Sequence, residues 1–331
     1  MTWFEKLTGC PETTADIAQQ LSVDGPWLHS AANGQTWRCG TLETPRLADL
    51  REAVAGRPTA CELRLQEVVA SVQILHRDPA SAGTTFQVAS QFNLLEMVAP
   101  SVTPERGIGI YESDLTQGPA CAIAAGAGTI YRNYFVPVDG QTGQTATRQL
   151  DCLSDVGDLL GNSDGQLWEM RNGYALPTED GLATIDRRLR DSDEAQHDAL
   201  RAALRVGVQR GTQVTLGGSR HTVCQVLCSA LPVSYAEYTG ELWARFATLI
   251  LEAAYEATLC AAMLNADQTG QPRLYLTLLG GGAFGNDFTW ITAAILRACQ
   301  RYRHSGLDVA IVSFGRSQPA VQALIRDFHN G

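Results

Sequence analysis

The stretch LTLLGGGAFGNDFTW, residues 276–290, decides the predicted fold class. An apolar run at residues 274–279 predicts a buried strand, and a helical pattern begins at Phe288 after a turn built on three consecutive glycines. A strand that passes through glycines into a helix is the unit from which parallel α/β sheets are assembled. In open sheets of this kind, ligands bind beyond the carboxyl ends of the strands. The stretch therefore predicts both the class of fold and the edge of the sheet at which a site would lie.

The rest of the chain predicts the other members of such a sheet. Apolar runs alternate with helical patterns, which is typical of a largely parallel sheet with helices on both faces. The first two strands are separated by a short polar turn, as in a hairpin, and Ser192 is the expected N-cap of one helix. The predicted strands are 68–75, 85–90, 222–230, 274–279 and 309–314, and the predicted helices are 46–55, 119–128, 192–204, 241–265, 288–302 and 319–328.

Three regions differ in character along the chain. Residues 1–60 alternate short helical signals with Pro and Gly, and they predict an N-terminal arm packed on the core. Residues 61–331 form the predicted main domain, and the segment at about 140–215 is an insertion within it. Its first part, 139–149, is polar and is expected to be a flexible connection.

Composition narrows the classes of partner. The 331 residues carry a formal net charge of −10, and because nucleic-acid proteins show a basic stripe, this balance argues against a nucleic-acid partner. No stretch has the length and apolarity of a membrane span, and no signal peptide is visible at the start. Nine cysteines without metal-ligand spacing predict neither a metal site nor a cofactor. The expected location is the cytoplasm, and the sequence leaves the oligomeric state unknown.

The glycine turn at 280–286 is the strongest candidate for ligand binding. Glycine permits positive φ and close approach of the backbone to a pyrophosphate, and the following helix N-terminus offers N–H donors. The spacing is neither that of a Walker A loop nor the GxGxxG of a dinucleotide fold. The turn therefore predicts phosphate binding through backbone groups.

Polar side chains near two other predicted elements supply further candidates. Gln91, Asn93 and Glu96 follow the strand at 85–90, and Asn93 suits a ribose hydroxyl, although it could also be an ordinary cap. Asp114 lies ahead of the helix that begins near Pro119. It could cap that helix, or it could polarise a water molecule or a ribose hydroxyl. The segment 167–176, LWEMRNGYAL, could contact a substrate or serve only in packing.

A different class of enzyme remains open for the same segment. Cys121 could be a nucleophile whose thiolate is stabilised at a helix N-terminus, with His221 or His76 as its base. The alternative is that Cys121 only packs within a helix of small residues.

Three motifs together, QFNLLE at 91–96, YESDLTQGP at 111–119 and GGGAFGN at 280–286, resemble those of the macrodomain superfamily. They are most similar to an atypical group related to poly(ADP-ribose) glycohydrolases, a group that includes a bacterial effector acting on ADP-ribosylated ubiquitin. The resemblance covers roughly residues 60–135 and 220–330. The Asn-Ala-Ala-Asn opening and the Gln-Glu-Glu signature known from relatives are absent.

The resemblance implies a three-layer α/β/α mixed sheet and an ADP-ribosyl hydrolase that removes ADP-ribose from a protein side chain, with arginine as the suggested acceptor. It implies ADP-ribose or an ADP-ribosylated protein as partner. A reader that binds ADP-ribose without cleaving it is the alternative. The implied catalytic residues are Asp114, Glu96 and Asp287, and the implied ligand-binding residues are Gln91, Asn93, Tyr111, Thr116, Gln117, Gly118, Pro119, Ala120, Cys121, Gly280, Gly281, Gly282, Ala283, Phe284, Gly285 and Asn286.

Overall fold

A computed structural model describes residues 1–57 and 61–330 of the chain. The strands are β1 Leu21–Asp24, β2 Trp27–Ser30, β3 Thr36–Arg38, β4 Thr41–Glu43, β5 Arg64–Val69, β6 Thr85–Ala89, β7 Pro137–Val138, β8 Gln141–Thr142, β9 Trp168–Arg171, β10 Tyr174–Pro177, β11 Gly207–Gln213, β12 Thr222–Cys228, β13 Arg273–Leu276 and β14 Asp308–Ser313. The helices are α1 Trp3–Thr8, α2 Thr14–Gln20, α3 Leu47–Val54, α4 Val72–Arg77, α5 Gln117–Ala124, α6 Gly126–Tyr134, α7 Ser154–Leu160, α8 Glu179–Asp191, α9 Glu194–Ala203, α10 Gly240–Thr269, α11 Phe288–Arg301 and α12 Pro319–Asn330.

The central sheet has seven strands in the order β4-β11-β12-β6-β13-β14-β5. The five strands from β12 to β5 run parallel to one another, and β11 is antiparallel to both of its neighbours. The parallel strands β12 and β14 are rich in buried apolar residues, as expected for strands covered on both faces. The predicted α/β class with a mixed sheet is thus confirmed.

Successive residues of β6 show that helices cover both faces of the sheet. The ring of Phe86 stacks on that of His76 from α4, with 3.7 Å between centroids. The next residue, Gln87, donates a hydrogen bond to the hydroxyl of Thr258 in α10. Because side chains alternate between the faces of a strand, α4 and α10 lie on opposite sides. The predicted three-layer arrangement is confirmed.

Helix α10 is the central element of one helical layer. Contrary to the expectation from the sequence, it is long and apolar enough, by length and composition alone, to cross a membrane. Within the fold, however, 83% of its most apolar window is buried. It packs against α11, α3 and α8, so its apolar surface is explained by the core of the protein.

The first 57 residues pack on the main body and share its apolar clusters. β1, β2 and β3 make an antiparallel sheet, and Trp3 and Phe4 pack in a cluster that also contains Leu95, Ile108 and Tyr111 of the main body. β4 is the edge strand of the central sheet, so hydrogen bonds as well as apolar contacts attach this segment. The predicted boundary at residues 60 and 61 falls beside residues 58–60, which lie outside the described part, as does Gly331.

Three sequence predictions are corrected by the fold. Residues 68–75 are not one strand: β5 ends at Val69, and α4 begins at Val72. β5 and β6 do not form a hairpin, because β13 and β14 lie between them in the sheet. The N-cap of α9 is Asp193, whose carboxylate accepts the N–H of Gln196, and not Ser192. In each case the structure depends on strand-pairing or helix-capping partners, and the apolar pattern of the sequence does not specify those partners.

Candidate functional site

A cleft opens at the carboxyl ends of β6, β12 and β13. It contains about 720 Å³ of space, including its mouth. β13 pairs with β6 only through Leu274 and Tyr275, and beyond that point the two strands separate. A crevice between diverging parallel strands is where open α/β sheets bind ligands.

Gln117 fills the space between the separating strands. Its side-chain amide donates to the carbonyl of Gln87 at 2.8 Å, and its amide oxygen accepts the N–H of Ala89 at 2.9 Å. The Gln117 side chain thus takes the place of the backbone hydrogen bonds that β13 would otherwise make with this part of β6. It also fixes the first residue of α5 in the lining of the cleft.

The glycine loop forms one wall of the cleft. The N–H of Gly281, Gly285 and Asn286 bond to carbonyls within the segment 278–286. Among the described residues, the N–H groups of 282, 283 and 284 make no hydrogen bond. Three consecutive free donors beside a cavity are suited to an anionic group.

The N-terminus of α5 forms the opposing wall. Its N-cap, Thr116, makes no side-chain capping bond, and the N–H groups of Gln117 and Gly118 have no partner within the described residues. Gly118 is packed so tightly that a Cβ there would lie 1.9 Å from the carbonyl oxygen of Ala89. Asp114 lines the same wall, and its carboxylate accepts the N–H of Thr116 at 2.8 Å. The cleft therefore has free backbone donors on two sides.

Glu96 is the most perturbed acid of the cleft. It is 2% exposed, and one of its oxygens accepts from Arg132 at 3.3 Å. The other oxygen, Oε2, is buried without a hydrogen-bond partner. Burial raises the pKa of Glu96 to about 7, opposed by the positive charge of Arg132. A buried carboxyl with a free oxygen and a pKa near neutrality is suited to proton transfer.

The loop that carries Glu96 has an unusual backbone. Leu94 has φ of +65°, a conformation that is rare for a bulky residue. The loop is closed by the side chain of Gln91, which accepts the N–H of Met97 at 2.9 Å. Asn93 accepts the N–H of Leu95 at 3.0 Å and donates to Gln149 at 2.8 Å. These bonds hold the loop that places Glu96 in the lining of the cleft.

Three aromatic rings close the outer side. Tyr174, Tyr235 and Phe284 have ring centroids between 5.3 and 5.7 Å apart, and all three line the cleft. Tyr174 belongs to β10 in the insertion, and its hydroxyl donates to the carbonyl of Met97 at 2.6 Å. The insertion thus supplies part of the cleft wall. An aromatic surface of this kind is suited to a planar base or the apolar face of a sugar.

The structure brings many of the sequence-predicted residues into the cleft lining. These are Gln91, Glu96, Asp114, Thr116, Gln117, Gly118, Pro119, Gly280, Gly282, Ala283 and Phe284. They come from the ends of β6 and β13 and from the start of α5, which the fold places at one edge of the sheet.

The other predicted residues lie behind or beside the cleft. Asp287 is exposed, caps α11 through the N–H of Thr289 and is not among the residues that line the cleft. Asn93 and Tyr111 are fully buried, and the Tyr111 hydroxyl accepts the N–H of Glu96. The remaining members of this group, which do not line the cleft, are Ala120, Cys121, Gly281, Gly285 and Asn286.

The surroundings of Cys121 contradict the alternative in which this residue is the nucleophile of a hydrolase. The thiol is fully buried, and burial raises its pKa well above the ordinary value. His76 is also buried, and its pKa is lowered to about 4. Its ring bonds to Val72 and to Gln225 and makes no hydrogen bond to the cysteine. A thiol that is neither accessible nor ionised cannot serve as the nucleophile.

Several lining residues were missed by the sequence analysis. Tyr235 and Ala230 follow β12, and Met97 and Val98 follow the Glu96 loop. Their proximity to the ends of parallel strands was the available signal, since such ends converge on the site. Among the described residues, no group of three or more His, Cys, Asp or Glu side chains is arranged to hold a metal ion.

Comparisons with known proteins give structural similarities only. No protein-family model matches the chain, and no curated protein matches it in sequence. It is similar to the poly(ADP-ribose) glycohydrolase of Thermomonospora curvata, with 13% identity, 96% of each chain covered and a TM-score of 0.45. It is also similar to the poly(ADP-ribose) glycohydrolase of Deinococcus radiodurans in complex with ADP-ribose, with 13% identity, 87% of this chain and 94% of that chain covered, and a TM-score of 0.41.

Proposed function

We propose that this chain is an ADP-ribosyl hydrolase that releases ADP-ribose from a modified protein side chain. The observation that carries the proposal is the pairing of two features in one cleft: free backbone N–H groups on opposite walls, and a buried glutamate with an unpartnered oxygen. The first suits a diphosphate, and the second suits proton transfer at a glycosidic bond.

Recognition of the diphosphate would fall to the main chain. The N–H groups of 282–284 would bind one phosphate, and those of Gln117 and Gly118 at the start of α5 would bind the other. The described cleft lining contains no Lys or Arg, so backbone dipoles replace side-chain charge. This explains how a chain with a net charge of −10 could bind a doubly anionic ligand.

The two carboxyl groups of the cleft would divide the chemistry. Glu96, with a pKa raised to about 7, would protonate the departing side-chain atom as the bond to the anomeric carbon breaks. Asp114 would hold the ribose hydroxyl, orient the attacking water and accept the proton that the water loses as it bonds to the anomeric carbon. Arg132 would hold Glu96 in place through its 3.3 Å contact. The products are ADP-ribose and the unmodified side chain, and the water supplies the oxygen.

The aromatic trio would cover the nucleoside end. Tyr174, Tyr235 and Phe284 present rings to the cleft at stacking distances from one another. Arginine as the modified residue, the cytoplasm as the location and independence from any cofactor belong to this proposal as expectations. Kinship with the effector that acts on ADP-ribosylated ubiquitin likewise remains a prediction.

A reader that binds ADP-ribose without cleaving it is the second candidate, and the same free N–H groups favour it. The discriminating experiment uses the wild type and Asp114→Ala. Isothermal titration with ADP-ribose measures affinity, and release of ADP-ribose from an ADP-ribosylated arginine protein measures turnover. We expect the wild type to bind and cleave, and Asp114→Ala to bind with a similar Kd while turnover falls by about 100-fold or more.

Each outcome of that experiment selects a function. Binding by the wild type without cleavage of arginine-, glutamate- or serine-linked substrates would establish the reader. Absence of a thermal shift with ADP-ribose, when ATP and NAD also give none, would overturn both, because a ligand at a hundredfold excess over its Kd stabilises by about 2.7 kcal/mol.

A further inference from the structure

Glu12 lies in the linker between α1 and α2, outside the cleft lining. Its carboxylate nevertheless collects three donors from the main body. It accepts the N–H of Ile108 and of Gly109, each at 2.8 Å, and the hydroxyl of Tyr134 at 2.6 Å. Because one carboxylate accepts two backbone N–H groups and one phenol, Glu12 attaches the N-terminal segment firmly to residues 107–114.

The backbone around this carboxylate is shaped to receive it. A Cβ at Gly107 would lie 2.7 Å from Glu12 Oε2, and one at Gly109 would lie 2.6 Å from the same oxygen. Gly107 also has φ of +87°. Side chains at these two positions would expel the carboxylate, so the two glycines and Glu12 form one built receptor.

The segment held in this way leads directly into the cleft. From Gly109 it continues as a short 3₁₀ helix to Ser113. Tyr111, in the middle of that turn, accepts the N–H of Glu96 at 3.0 Å. Asp114, the residue after the turn, lines the cleft. Both carboxyl groups of the proposed chemistry therefore depend on the position of this segment.

We infer that Glu12 is a positioning residue of the cleft, which makes the N-terminal segment part of the functional site. Glu12 touches neither the ligand nor the reacting atoms. It acts through Ile108 and Gly109, which fix Tyr111 and Asp114. This inference rests on the proposed function for its effect on turnover, and on the geometry alone for its effect on the segment 107–114.

The test variant is Glu12→Gln. Both carboxylate oxygens accept hydrogen bonds, so an amide of the same shape sets its NH2 group against at least one N–H or O–H donor. Tyr134→Phe removes one of the three donors and leaves both backbone bonds. Glu5→Gln is the matched control, because Glu5 lies in the same segment and caps α1 through the N–H of Thr2.

Three measurements are made on each full-length variant: amide hydrogen exchange across 107–114, the thermal midpoint, and kcat and KM for release of ADP-ribose. We expect Glu12→Gln to accelerate exchange in 107–114 by at least tenfold. We also expect kcat to fall by about tenfold or more while KM stays within about threefold, since misplacement of reacting groups by about 1 Å costs up to about 100-fold. Tyr134→Phe should change the exchange rate and kcat in the same direction, but by less than Glu12→Gln does.

The inference is overturned if Glu12→Gln leaves exchange in 107–114 at the wild-type rate. It is also overturned if kcat falls no further than in Glu5→Gln at a matched loss of thermal midpoint, because the role is then merely structural. If the wild-type protein neither binds nor cleaves, the proposed function fails. In that event the exchange measurement alone decides whether Glu12 holds the segment.

Discussion

Gly118 and Glu96 are neighbours in the lining of the cleft: a Cβ on Gly118 would lie 3.1 Å from Cγ of Glu96. The close packing places the N-terminus of α5 beside the buried acid. It explains why the second residue of the helix has no side chain. A methyl group at that position would separate the backbone donors from the carboxyl group with which they are proposed to act.

Gly118→Ala is therefore expected to damage the cleft. The new methyl group would overlap the carbonyl oxygen of Ala89, at 1.9 Å, and backbone cannot yield as a flexible side chain can. We expect a loss of about 1–3 kcal/mol in the free energy of unfolding and at least tenfold weaker ADP-ribose binding. Urea unfolding and calorimetry measure the two. Gly240→Ala, at the open start of α10, is the control and should change neither; equal effects in both variants would contradict the packing argument.

Glu96→Gln is expected to abolish turnover and preserve binding. The amide keeps the shape and cannot donate a proton to a leaving group, so kcat should fall by about 100-fold or more. In the wild type, kcat should fall as pH rises through about 7, because the acid that must be protonated is then lost. Steady-state rates between pH 5 and 9 check this. A rate that rises through pH 7 would instead make Glu96 the base.

The same glutamate should give the fold a pH-dependent stability. Its pKa is raised in the folded chain from 4.5 to about 7, so the folded state favours the neutral carboxyl. The corresponding stabilisation is complete below about pH 4.5 and is lost as pH rises through about 7. The thermal midpoint of the wild type relative to Glu96→Gln should therefore decline over this window. A constant difference would show that Glu96 does not titrate there.

Two glycines of the 280–286 loop should respond differently to alanine. Gly280 has φ of +75°, and its Cβ would lie 2.5 Å from Cβ of Ala230. Gly280→Ala should lower both stability, by about 1–2 kcal/mol from backbone strain alone, and affinity for ADP-ribose. A Cβ on Gly282 meets nothing within 4 Å, and Gly282 lines the cleft. Gly282→Ala should keep the thermal midpoint and weaken binding alone; a midpoint that falls in Gly282→Ala would be inconsistent with this loop.

Cys121 should prove inert. Its buried thiol has a raised pKa, whereas Cys61 is exposed and serves as the internal control. Brief treatment of the native protein with iodoacetamide should label Cys61 and leave Cys121 unmodified, as read by peptide mass spectrometry. Cys121→Ala should retain full turnover. Rapid labelling of Cys121, or loss of activity in a folded Cys121→Ala variant, would restore the cysteine-hydrolase alternative.

Local patterns in the sequence predicted the elements of the main domain well. The apolar runs at 222–230 and 309–314 and the helical patterns at 241–265 and 319–328 match β12, β14, α10 and α12 within a few residues. Each pattern repeats with the period of its own helix or strand, so it can be recognised without knowing which elements pack against it. The predicted hairpin of β5 and β6 failed because strand order depends on β13 and β14, which lie about 200 residues further along the chain.

The sequence by itself determined that 276–290 is a strand, a glycine turn and a helix start, because glycine and apolar periodicity act on the backbone locally. Only the tertiary structure decided which polar side chains face the cleft. Asn93 is turned inward by Gln149, and Tyr174 is brought to the cleft by a hairpin of the insertion. The pKa of Glu96 likewise depends on burial beneath α5 and beside Arg132, since desolvation arises from packing between distant segments rather than from the residue itself.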